Sequence, residues 1–544
     1  MHKNLHNLKV FKIVSFSIVI SFLFCIMFIS SSSIPKGDDL VFHLNRINSL
    51  SYSLQNGDFY PYIFHNQNFG YGYASPIFYS ILFLYPASFL NCLGFSVIES
   101  YKIMILLCTF LTCLTTAYFL TAFTKNTFSI SVGIIFYIFS GYRITDCYTR
   151  GALGEIFAFI FLPLILYGIF DIFYDTHKKW RVLTIGYTGL LLSHNISFFL
   201  GCCLFLSFFS LNVKKTVTNQ QIRFSLYKAI SFSIGLTAFF LFPMLEQINI
   251  LTIANNISPS SEVLKIQDIL GLLDGTYIYT PGIITILIPF MQFRKLKKYP
   301  FLKHCYIIGI FSILLTMITA LWNIPALGFI QFPWRLILLS CILMIPSFVF
   351  IFEQLKYSQK MILLVMELIF IIYYFNAQSS LPLLSNISDP QLNIDKLVTT
   401  FGDDVNFCSS ELAHGEYLPN KEYDYRFSKR KINTNPSAMV EIPFTEKYNE
   451  IIFNSLSTAK PTTYIIPLTY YKGYIIEINN TTLYPYPDCE NAFVTFVLDD
   501  NYADEEIKIS YKGTRIQKLS SLLSIMTSII FGAFLLNRKY KQRS

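Results

Sequence analysis

Long apolar stretches separated by short polar loops run along most of this chain. They predict twelve membrane-spanning helices, near residues 11–30, 97–123, 128–143, 153–174, 182–195, 196–212, 226–246, 280–293, 303–322, 334–352, 360–377 and 518–537. A crossing takes about 20 apolar residues, and several stretches are shorter. We interpret the pair divided at His194 as two short helices that meet at a polar break, which is tolerated where it lines a cavity. For the first stretch, a cleaved signal peptide stays open as an alternative.

Basic residues give the predicted helices an orientation. Lysine and arginine gather in the N-terminal tail, in alternate loops and in the C-terminal tail, near residues 3–12, 125, 178–181, 214–228, 294–303, 356–360 and 538–543. Cytoplasmic loops carry this excess of Lys and Arg, so we expect both termini in the cytoplasm. Residues 38–56 and 76–95 are then predicted as interfacial helices on the outer face, because a crossing at 76–95 would invert the pattern.

Residues 378–516 break the apolar pattern. Segments such as "TTYIIPLTYYKGYIIEI" and "NAFVTFVLDD" alternate with the period of two that is typical of strands. We therefore predict a polytopic α-helical membrane core at residues 1–377, a β-rich extracytoplasmic domain at 378–516, and a last helix with a basic tail at 517–544. Cys408 and Cys489 lie in the β-rich domain, and whether they form a disulfide stays open.

Composition supports the membrane class. Hydrophobic residues make up 53% of the chain and charged residues only 14%, against about 25% charged in soluble proteins. The net charge of +9 follows from the basic loops, so nucleic-acid binding is not expected. The chain has no P-loop, zinc-ligand spacing or nucleophile elbow.

The strongest local signal is the acidic pair in "KGDDLVFHLNRI". Asp38 and Asp39 open a predicted helix, and His43 and Arg46 follow one and two turns later. Adjacent carboxylates can hold a divalent cation, or one can act as a general base while the other orients a substrate. The competing interpretation is structural, with Asp38 as an N-cap and Asp39 at the positive helix start.

The next outer loop, "GYRITDCYTRGALGEIFAF", adds Arg143, Asp146, Arg150 and Glu155. The planar guanidinium of arginine suits a phosphate group. The structural alternatives are ion pairs, either Arg150 with Glu155 or Arg143 with Asp146.

Two further polar positions are predicted on the same side. His194 lies at the break in "LLLSHNISFF", while Trp334 and Arg335 begin a span in "GFIQFPWRLILL". Polar groups at that depth face a cavity, a substrate path or each other, although Trp334 and Arg335 also fit as interface anchors. We predict a phosphate or lipid-headgroup contact for Arg335.

Taken together, these segments resemble a known group. The basic tail, the first span, the acidic pair and the second acidic loop are similar to the GT-C superfamily of polyprenyl-phosphate-dependent glycosyltransferases. More closely, "GDDLVFHLNRI", "GYGYASPIFY", "YRITDCYTRGALGEIFAFIFLPL", "LLLSHNIS" and "FPWRL" resemble bacterial membrane proteins named 6-pyruvoyl-tetrahydropterin synthase-related, and more distantly YfhO-like proteins. The resemblance covers about residues 11–352, with "GEYLP" and "IPLTYYKGY" echoing its outer domain.

The resemblance implies a multi-pass protein of the bacterial cytoplasmic membrane. The protein would transfer a sugar from a polyprenyl-phosphate donor to a glycan, lipid or protein acceptor at the outer face. Asp38 or Asp39 would act as base or as a ligand of Mg²⁺ or Mn²⁺, and the second-loop acid would be Asp146 or Glu155. As a mechanistic hypothesis, we expect Arg150 and Arg335 to stabilise charge on the leaving phosphate. The chain has an Asp-Asp pair where the superfamily more commonly has a mixed acidic pair, which leaves metal dependence open.

Two other classes remain. A transporter or flippase of a lipid-linked glycan would share the polar cavity without needing a base, and Glu246 and Glu367, in or near apolar runs, favour it. A non-catalytic envelope assembly protein would tolerate neutralisation of Asp38, Asp39 and Arg150.

Overall fold

The computed structural model describes residues 2–249, 259–271, 275–384, 417–419, 430–435, 442–457, 461–488, 492–499 and 502–541. The chain forms two compact units. The first comprises Met1–Leu44, Leu93–Ile234 and Asn255–Asn386, and the second comprises Asn45–Cys92, Gly235–Ala254 and Ile387–Ser544. Segments 45–92 and 235–254, expected from the sequence to belong to the membrane core, are therefore part of the second unit.

The first unit is a helical bundle. Its α-helices are His2–Phe24, Ile26–Ile29, Val97–Leu120, Thr127–Ile138, Gly141–Ile144, Leu153–Tyr174, Trp180–Leu191, Asn195–Leu211, Val213–Thr218, Ile266–Leu270, Ile283–Met291, Phe293–Leu296, Pro300–Leu315, Thr319–Trp322, Ile337–Glu353 and Tyr357–Gln378. Thr145–Arg150 is a π-helix, and Pro259–Glu262, Pro325–Ile330 and Pro333–Leu336 are 3₁₀-helices. Strands β1 (Ile34–Pro35) and β2 (Leu383–Leu384) pair antiparallel. Helices Leu40–Gln55 and Gln220–Ile248 each begin in this unit and end in the second.

Six helical segments in the described residues are long and apolar enough to cross a membrane: Val97–Leu120, Leu153–Tyr174, Gln220–Ile248, Pro333–Glu353, Tyr357–Gln378 and Arg515–Leu536. The pair Thr127–Ile138 and Gly141–Arg150, bent by 53°, makes a seventh if it is one broken span. The sequence predicted twelve crossings. Several of the others are short helices, such as Ile283–Met291 with nine residues, less than half of the ~20 that a crossing needs.

The second unit contains most of the described strands. One sheet has the order β3 (Asn433–Asn435), β6 (Thr462–Thr469), β10 (Phe493–Leu498) and β9 (Tyr486–Pro487). The other has the order β4 (Thr445–Lys447), β5 (Glu450–Asn454), β11 (Glu506–Tyr511), β7 (Tyr474–Ile478) and β8 (Thr481–Leu483). All described pairings are antiparallel.

The predicted β-rich region is confirmed within the described residues. Along β7, buried and partly exposed residues alternate, as the period of two requires. The side chains of both sheets form one apolar core that includes Ile466, Ile476 and Ile509. This unit also holds the helices Ser75–Phe78, Tyr85–Cys92 and Arg515–Lys541 and the 3₁₀-helices Asn68–Gly70 and Leu82–Leu84. Cys408 and Cys489, the predicted disulfide candidates, lie outside the described residues, and the other nine cysteines are free thiols.

Candidate functional site

The site begins at a broken helix in the first unit. After the π-helix Thr145–Arg150, Gly151 adopts φ of 65°, a left-handed conformation that glycine reaches at little cost. The chain reverses there, and the helix Leu153–Tyr174 begins with Glu155 in its first turn. π-Helical turns frequently occur at functional sites. The reversal places two acids and one arginine side by side.

Arg150 lies at the centre of this group. Its Nη1 donates to Asp146 Oδ1 at 2.5 Å and to Glu155 Oε1 at 3.1 Å. All three side chains are almost completely buried. The Arg150–Glu155 pair that the sequence left as an alternative is therefore present.

Arg335 joins the group through Glu155. Its Nε lies 3.3 Å from Glu155 Oε1, and its Nη1 donates to Gln331 Oε1 at 2.7 Å and to the carbonyl of Ile330 at 2.8 Å. Gln331 has φ of 67°, uncommon for a residue other than glycine and frequent where a functional site holds strained backbone. Tyr142 donates its hydroxyl to the second oxygen of Glu155 at 2.5 Å.

The acidic pair is joined to the same group by backbone hydrogen bonds. The N–H groups of Asp38 and Asp39 donate to the carbonyls of Thr149 and Arg150 at 3.3 and 2.7 Å. The Asp39 carboxylate lies 3.7 Å from Arg150 Nη2 and its side chain is 46% exposed. Asp38 and Asp39 are thus the accessible edge of an otherwise buried group.

Asp38 is held by a tyrosine. The Tyr277 hydroxyl lies 3.0 Å from each carboxylate oxygen of Asp38 and donates to it. Burial raises the pKa of the Asp38 carboxyl above its usual value, and the Tyr277 hydrogen bond opposes that shift. Burial raises the pKa of Tyr277 to about 12, so its phenol keeps the proton that it donates.

Tyr277 belongs to a non-helical segment, residues 275–280, that lies along the broken helix. Thr149 Oγ1 donates to the carbonyl of Thr276, Ile278 N–H donates to Thr145 Oγ1, and Tyr142 N–H donates to the carbonyl of Thr280. Gly141 permits the approach, because a Cβ there would lie 2.5 Å from Ile278 Cγ2. Ile278 and Thr280 are buried, whereas Tyr277 is exposed and Tyr279 is partly buried.

Four aromatic rings then form a continuous row. Tyr277 stacks on Tyr279, Tyr279 on Trp334 and Trp334 on Phe332, with ring centroids 6.0, 5.1 and 4.6 Å apart and interplanar angles of 26°, 22° and 15°. Arg150 Cζ lies 4.3 Å from the Trp334 ring centroid, a cation–π distance. The row, named here the aromatic row, extends from the accessible Asp38 to the buried arginines.

Carboxylates outnumber guanidinium groups in this site. Among the described residues, Asp39, Asp146 and Glu155 have Arg150 and Arg335 as their cationic partners within 4.0 Å, and Asp38 accepts from Tyr277. Asp146 Oδ2 and Trp334 Nε1 are buried and have no hydrogen-bond partner in the part of the chain that the structure describes. Such groups are costly to bury, so the site retains unused hydrogen-bonding capacity.

His194 lies near the same acids. It occupies the break between Trp180–Leu191 and Asn195–Leu211, where its Nδ1 is 2.8 Å from Ser197 Oγ. Its ring is close enough for electrostatic interaction with Glu155.

Arg143 and Arg46 are engaged elsewhere. Arg143 donates to the Ile138 carbonyl and to Thr109 Oγ1, with its guanidinium carbon 4.3 Å from the centroid of the Phe24 ring. The alternative ion pair of Arg143 with Asp146 is absent from the described residues. Arg46, in the second unit, donates to the carbonyls of Tyr79 and Ser80 at 2.6 and 2.9 Å.

His43 is buried. Its ring centroid lies 5.1 Å from that of Phe42.

Sequence reasoning missed Tyr142, Tyr277 and Tyr279. The alternating segment "GTYIYTPG" was available as a signal of extended chain beside the predicted span 280–293. Nothing in it indicates contact with residues 142–149, which are more than a hundred positions away. Among the described residues, no group of three or more His, Cys, Asp or Glu could hold a metal ion, so a cation at Asp38 and Asp39 would need oxygen ligands of another kind.

The fold and the site define a mostly helical protein whose apolar helices are consistent with membrane insertion, and which has a β-rich C-terminal region. No protein-family profile and no solved structure matches the chain. A protein described as uncharacterized from Lactococcus lactis subsp. cremoris (strain MG1363) is 26% identical over 226 residues, which are 39% of this chain and 36% of that protein. The chain thus spans little more than a third of this curated relative.

Proposed function

We propose that the protein is a membrane glycosyltransferase that moves a sugar from a polyprenyl-phosphate donor to an envelope acceptor. One observation carries the proposal. Two adjacent carboxylates, Asp38 and Asp39, form the accessible edge of a buried acid–arginine group and are fixed to it by backbone hydrogen bonds. Transfer to a hydroxyl needs a base at an accessible edge and positive charge near the leaving group.

Asp38 is the proposed base. Its raised pKa makes it a better proton acceptor than an ordinary aspartate, because catalysis improves as the pKa of the base approaches the working pH. The acceptor hydroxyl gives its proton to Asp38 while its oxygen attacks the anomeric carbon. The bond from that carbon to the phosphate oxygen breaks, its electron pair leaves with the phosphate, and the anomeric configuration inverts.

The arginines are the proposed contacts for the leaving phosphate. In the described ranges of the chain, the hydrogen bonds of Arg335 are donated by Nη1, while its Nε lies 3.3 Å from Glu155 Oε1 as an ion-pair contact and Nη2 has no hydrogen-bond partner. Within the part of the chain that the structure describes, the polar contact of Arg150 Nη2 is the one with Asp39 at 3.7 Å. Each guanidinium therefore keeps one terminal nitrogen for a phosphate oxygen.

A divalent cation fits the proposal. Two guanidinium groups do not balance four carboxylates, and an anionic donor would add further negative charge. Asp39 is partly accessible, and one carboxylate with several waters and the donor phosphate suffices for Mg²⁺, which leaves Asp38 as the base. When bound, the cation would supply charge neutralisation. Loss of transfer with EDTA and recovery with Mg²⁺ or Mn²⁺ would support it.

The proposal includes the location expected from the sequence. The protein would lie in the bacterial cytoplasmic membrane with both termini inside, about twelve crossings, and the site and the β-rich region outside. The excess of Lys and Arg in alternate loops supports that orientation.

One observation favours a second candidate, transport of a lipid-linked glycan. Glu367 is 6% exposed within the apolar helix Tyr357–Gln378, and a carboxyl inside a membrane helix often marks a transport path. Glu246, which the sequence suggested for the same role, is bound by Lys472 Nζ at 2.9 Å and by the Thr514 hydroxyl at 2.6 Å. It is part of a structural contact in the second unit.

The test compares envelope glycans and lipid-linked sugars by mass spectrometry in cells with and without the protein. Without it we expect a missing sugar and accumulated polyprenyl-phosphate sugar. Asp38→Asn should lower transfer about 100-fold or more. Asp58→Asn is the matched control, because Asp58 also accepts a hydrogen bond from a tyrosine hydroxyl, that of Tyr448 at 3.1 Å, in the second unit.

Unchanged glycans in cells that lack the protein would contradict the proposal. Full restoration by Asp38→Asn would contradict the assigned base. Lipid-linked glycan that is complete but accumulates on the cytoplasmic side would favour transport.

A further inference from the structure

We propose that Tyr277 and Tyr279 form a stacking platform for the transferred sugar ring. The inference rests on the proposed function and deepens it, because it assigns the place where a neutral hexose binds. It depends on the aromatic row and its position relative to the acids, and none of the sequence expectations included these two tyrosines.

The row is graded in exposure. Tyr277 is 42% exposed, Tyr279 is partly buried, and Trp334 is only 4% exposed. The guanidinium carbon of Arg150 also lies 4.3 Å from the centroid of the Trp334 ring. Trp334 is therefore a buried ring on which the row packs, and Tyr277 and Tyr279 are the rings that a ligand can reach.

The rings of the aromatic row are stacked with a lateral offset. Nearly parallel rings whose centroids lie 5.1 and 6.0 Å apart are slipped past each other, because full face-to-face overlap would bring them closer. Each tyrosine thus leaves part of its face uncovered. Aromatic faces carry partial negative charge, which attracts the C–H groups on the apolar face of a pyranose.

The polar surroundings favour a sugar over an isoprenoid chain. The Tyr277 hydroxyl donates to Asp38 at 3.0 Å, so a ring lying on Tyr277 has carboxylate oxygens at its edge. Those oxygens can accept hydrogen bonds from sugar hydroxyls. A hydrocarbon chain in the same place would desolvate Asp38 without giving it a partner, which is unfavourable.

The segment is also held firmly enough to act as a binding surface. Thr276 accepts from Thr149 and Gln378, and Ile278 bonds to Thr145 through both its N–H and its carbonyl. These bonds hold Thr276 and Ile278 against their neighbouring helices. Tyr277 and Tyr279 are thereby positioned to stack in line with Trp334. A ligand then loses little free energy in ordering the site.

The test is equilibrium binding to the full-length protein in detergent micelles. The probes are labelled polyprenyl phosphates carrying glucose, galactose, mannose or N-acetylglucosamine, and the same polyprenyl phosphate without a sugar. We expect one sugar-bearing probe to bind more tightly than the bare lipid. Tyr279→Leu should weaken that probe about tenfold and leave the bare lipid unchanged.

Three control variants test whether a loss of binding in Tyr279→Leu comes from the missing ring or from misfolding. Tyr279→Phe keeps the ring and should retain the affinity. Tyr277→Phe should retain stacking while it loses the bond to Asp38. Tyr357→Ala removes a tyrosine that is 77% exposed at the start of another helix, and we expect no effect on either probe.

The outcomes separate this inference from the proposed function. Equal weakening of both probes by Tyr279→Leu would overturn the platform and indicate an isoprenoid contact, and no preference for any sugar-bearing probe would also overturn it. Normal transfer by Tyr279→Leu would refute the platform while the proposed function stands. Selective binding without transfer would support the platform and refute the transferase.

Discussion

Replacing Glu155 by glutamine removes a carboxylate that lies within 4.0 Å of both buried arginines. Arg150 would keep Asp146 at 2.5 Å and Asp39 at 3.7 Å. Arg335 would lose its carboxylate partner, since Glu155 is the acid within 4.0 Å of it in the described residues. The Arg335 side chain is only 8% exposed, so water cannot replace that partner.

The expected cost follows from that burial. Removing one member of a buried ion pair costs about 3–5 kcal/mol. We expect the lower end, about 3 kcal/mol, because the glutamine amide oxygen still accepts a hydrogen bond. Asp39→Asn is the matched control, because its carboxylate is 46% exposed and 3.7 Å from Arg150, where an ion pair contributes about 0–1 kcal/mol.

The assay is unfolding of the purified protein in mixed detergent–SDS micelles, followed by circular dichroism. The double variant Glu155→Gln/Arg335→Met should lose less stability than the sum of its two single variants, because it leaves no unpaired guanidinium. Strict additivity, or equal losses for Glu155→Gln and Asp39→Asn, would refute the assignment of Glu155 as the shared partner.

Three further predictions concern neighbouring positions. Tyr277→Phe removes a hydrogen bond that lowers the pKa of Asp38, so the pKa of Asp38 should rise. Because Asp38 must be ionised to act as a base, the acid side of the pH–rate profile should move to higher pH. Gly141→Ala places a Cβ 2.5 Å from Ile278 Cγ2 and should cost about 1–3 kcal/mol by thermal unfolding, whereas Gly275→Ala, with open space around it, should cost little. Arg46→Gln should lower the melting temperature but leave transfer per folded molecule unchanged, because its guanidinium binds the Tyr79 and Ser80 carbonyls.

The helices that the sequence predicted best are those with long, strongly apolar stretches. Val97–Leu120, Leu153–Tyr174 and Tyr357–Gln378 lie within a few residues of their predicted limits. Each is long and apolar enough to cross a membrane, where a helix satisfies the backbone hydrogen bonds. Prediction was weaker near 280–293, where apolar composition continues but the helix Ile283–Met291 has only nine residues. Composition indicates burial, and it does not show whether the burial is in protein or in lipid.

Charge patterns located the acids and arginines of the site. Asp38, Asp39, Asp146, Arg150, Glu155 and Arg335 were recognised because a charged residue beside an apolar stretch needs a partner, a cavity or a functional role. The tyrosines were not recognised, because a tyrosine near the end of an apolar stretch is also expected as an interface anchor. Their role depends on hydrogen bonds between Thr145 or Thr149 and residues 276–278, and sequence periodicity does not predict such long-range pairings.

The choice between the two possible partners of Asp146 shows where local reasoning fails. In a regular α-helix, Asp146 could pair with Arg143 three residues before it or with Arg150 four residues after it, since both spacings share a face. Asp146 and Arg150 both lie in the π-helix Thr145–Arg150, whereas Arg143 belongs to the preceding α-helix Gly141–Ile144. Asp146 pairs with Arg150 at 2.5 Å, while Arg143 donates to Thr109 instead. The observed pair thus lies within the π-helix, whose i→i+5 bonds the spacing of the charged residues does not predict.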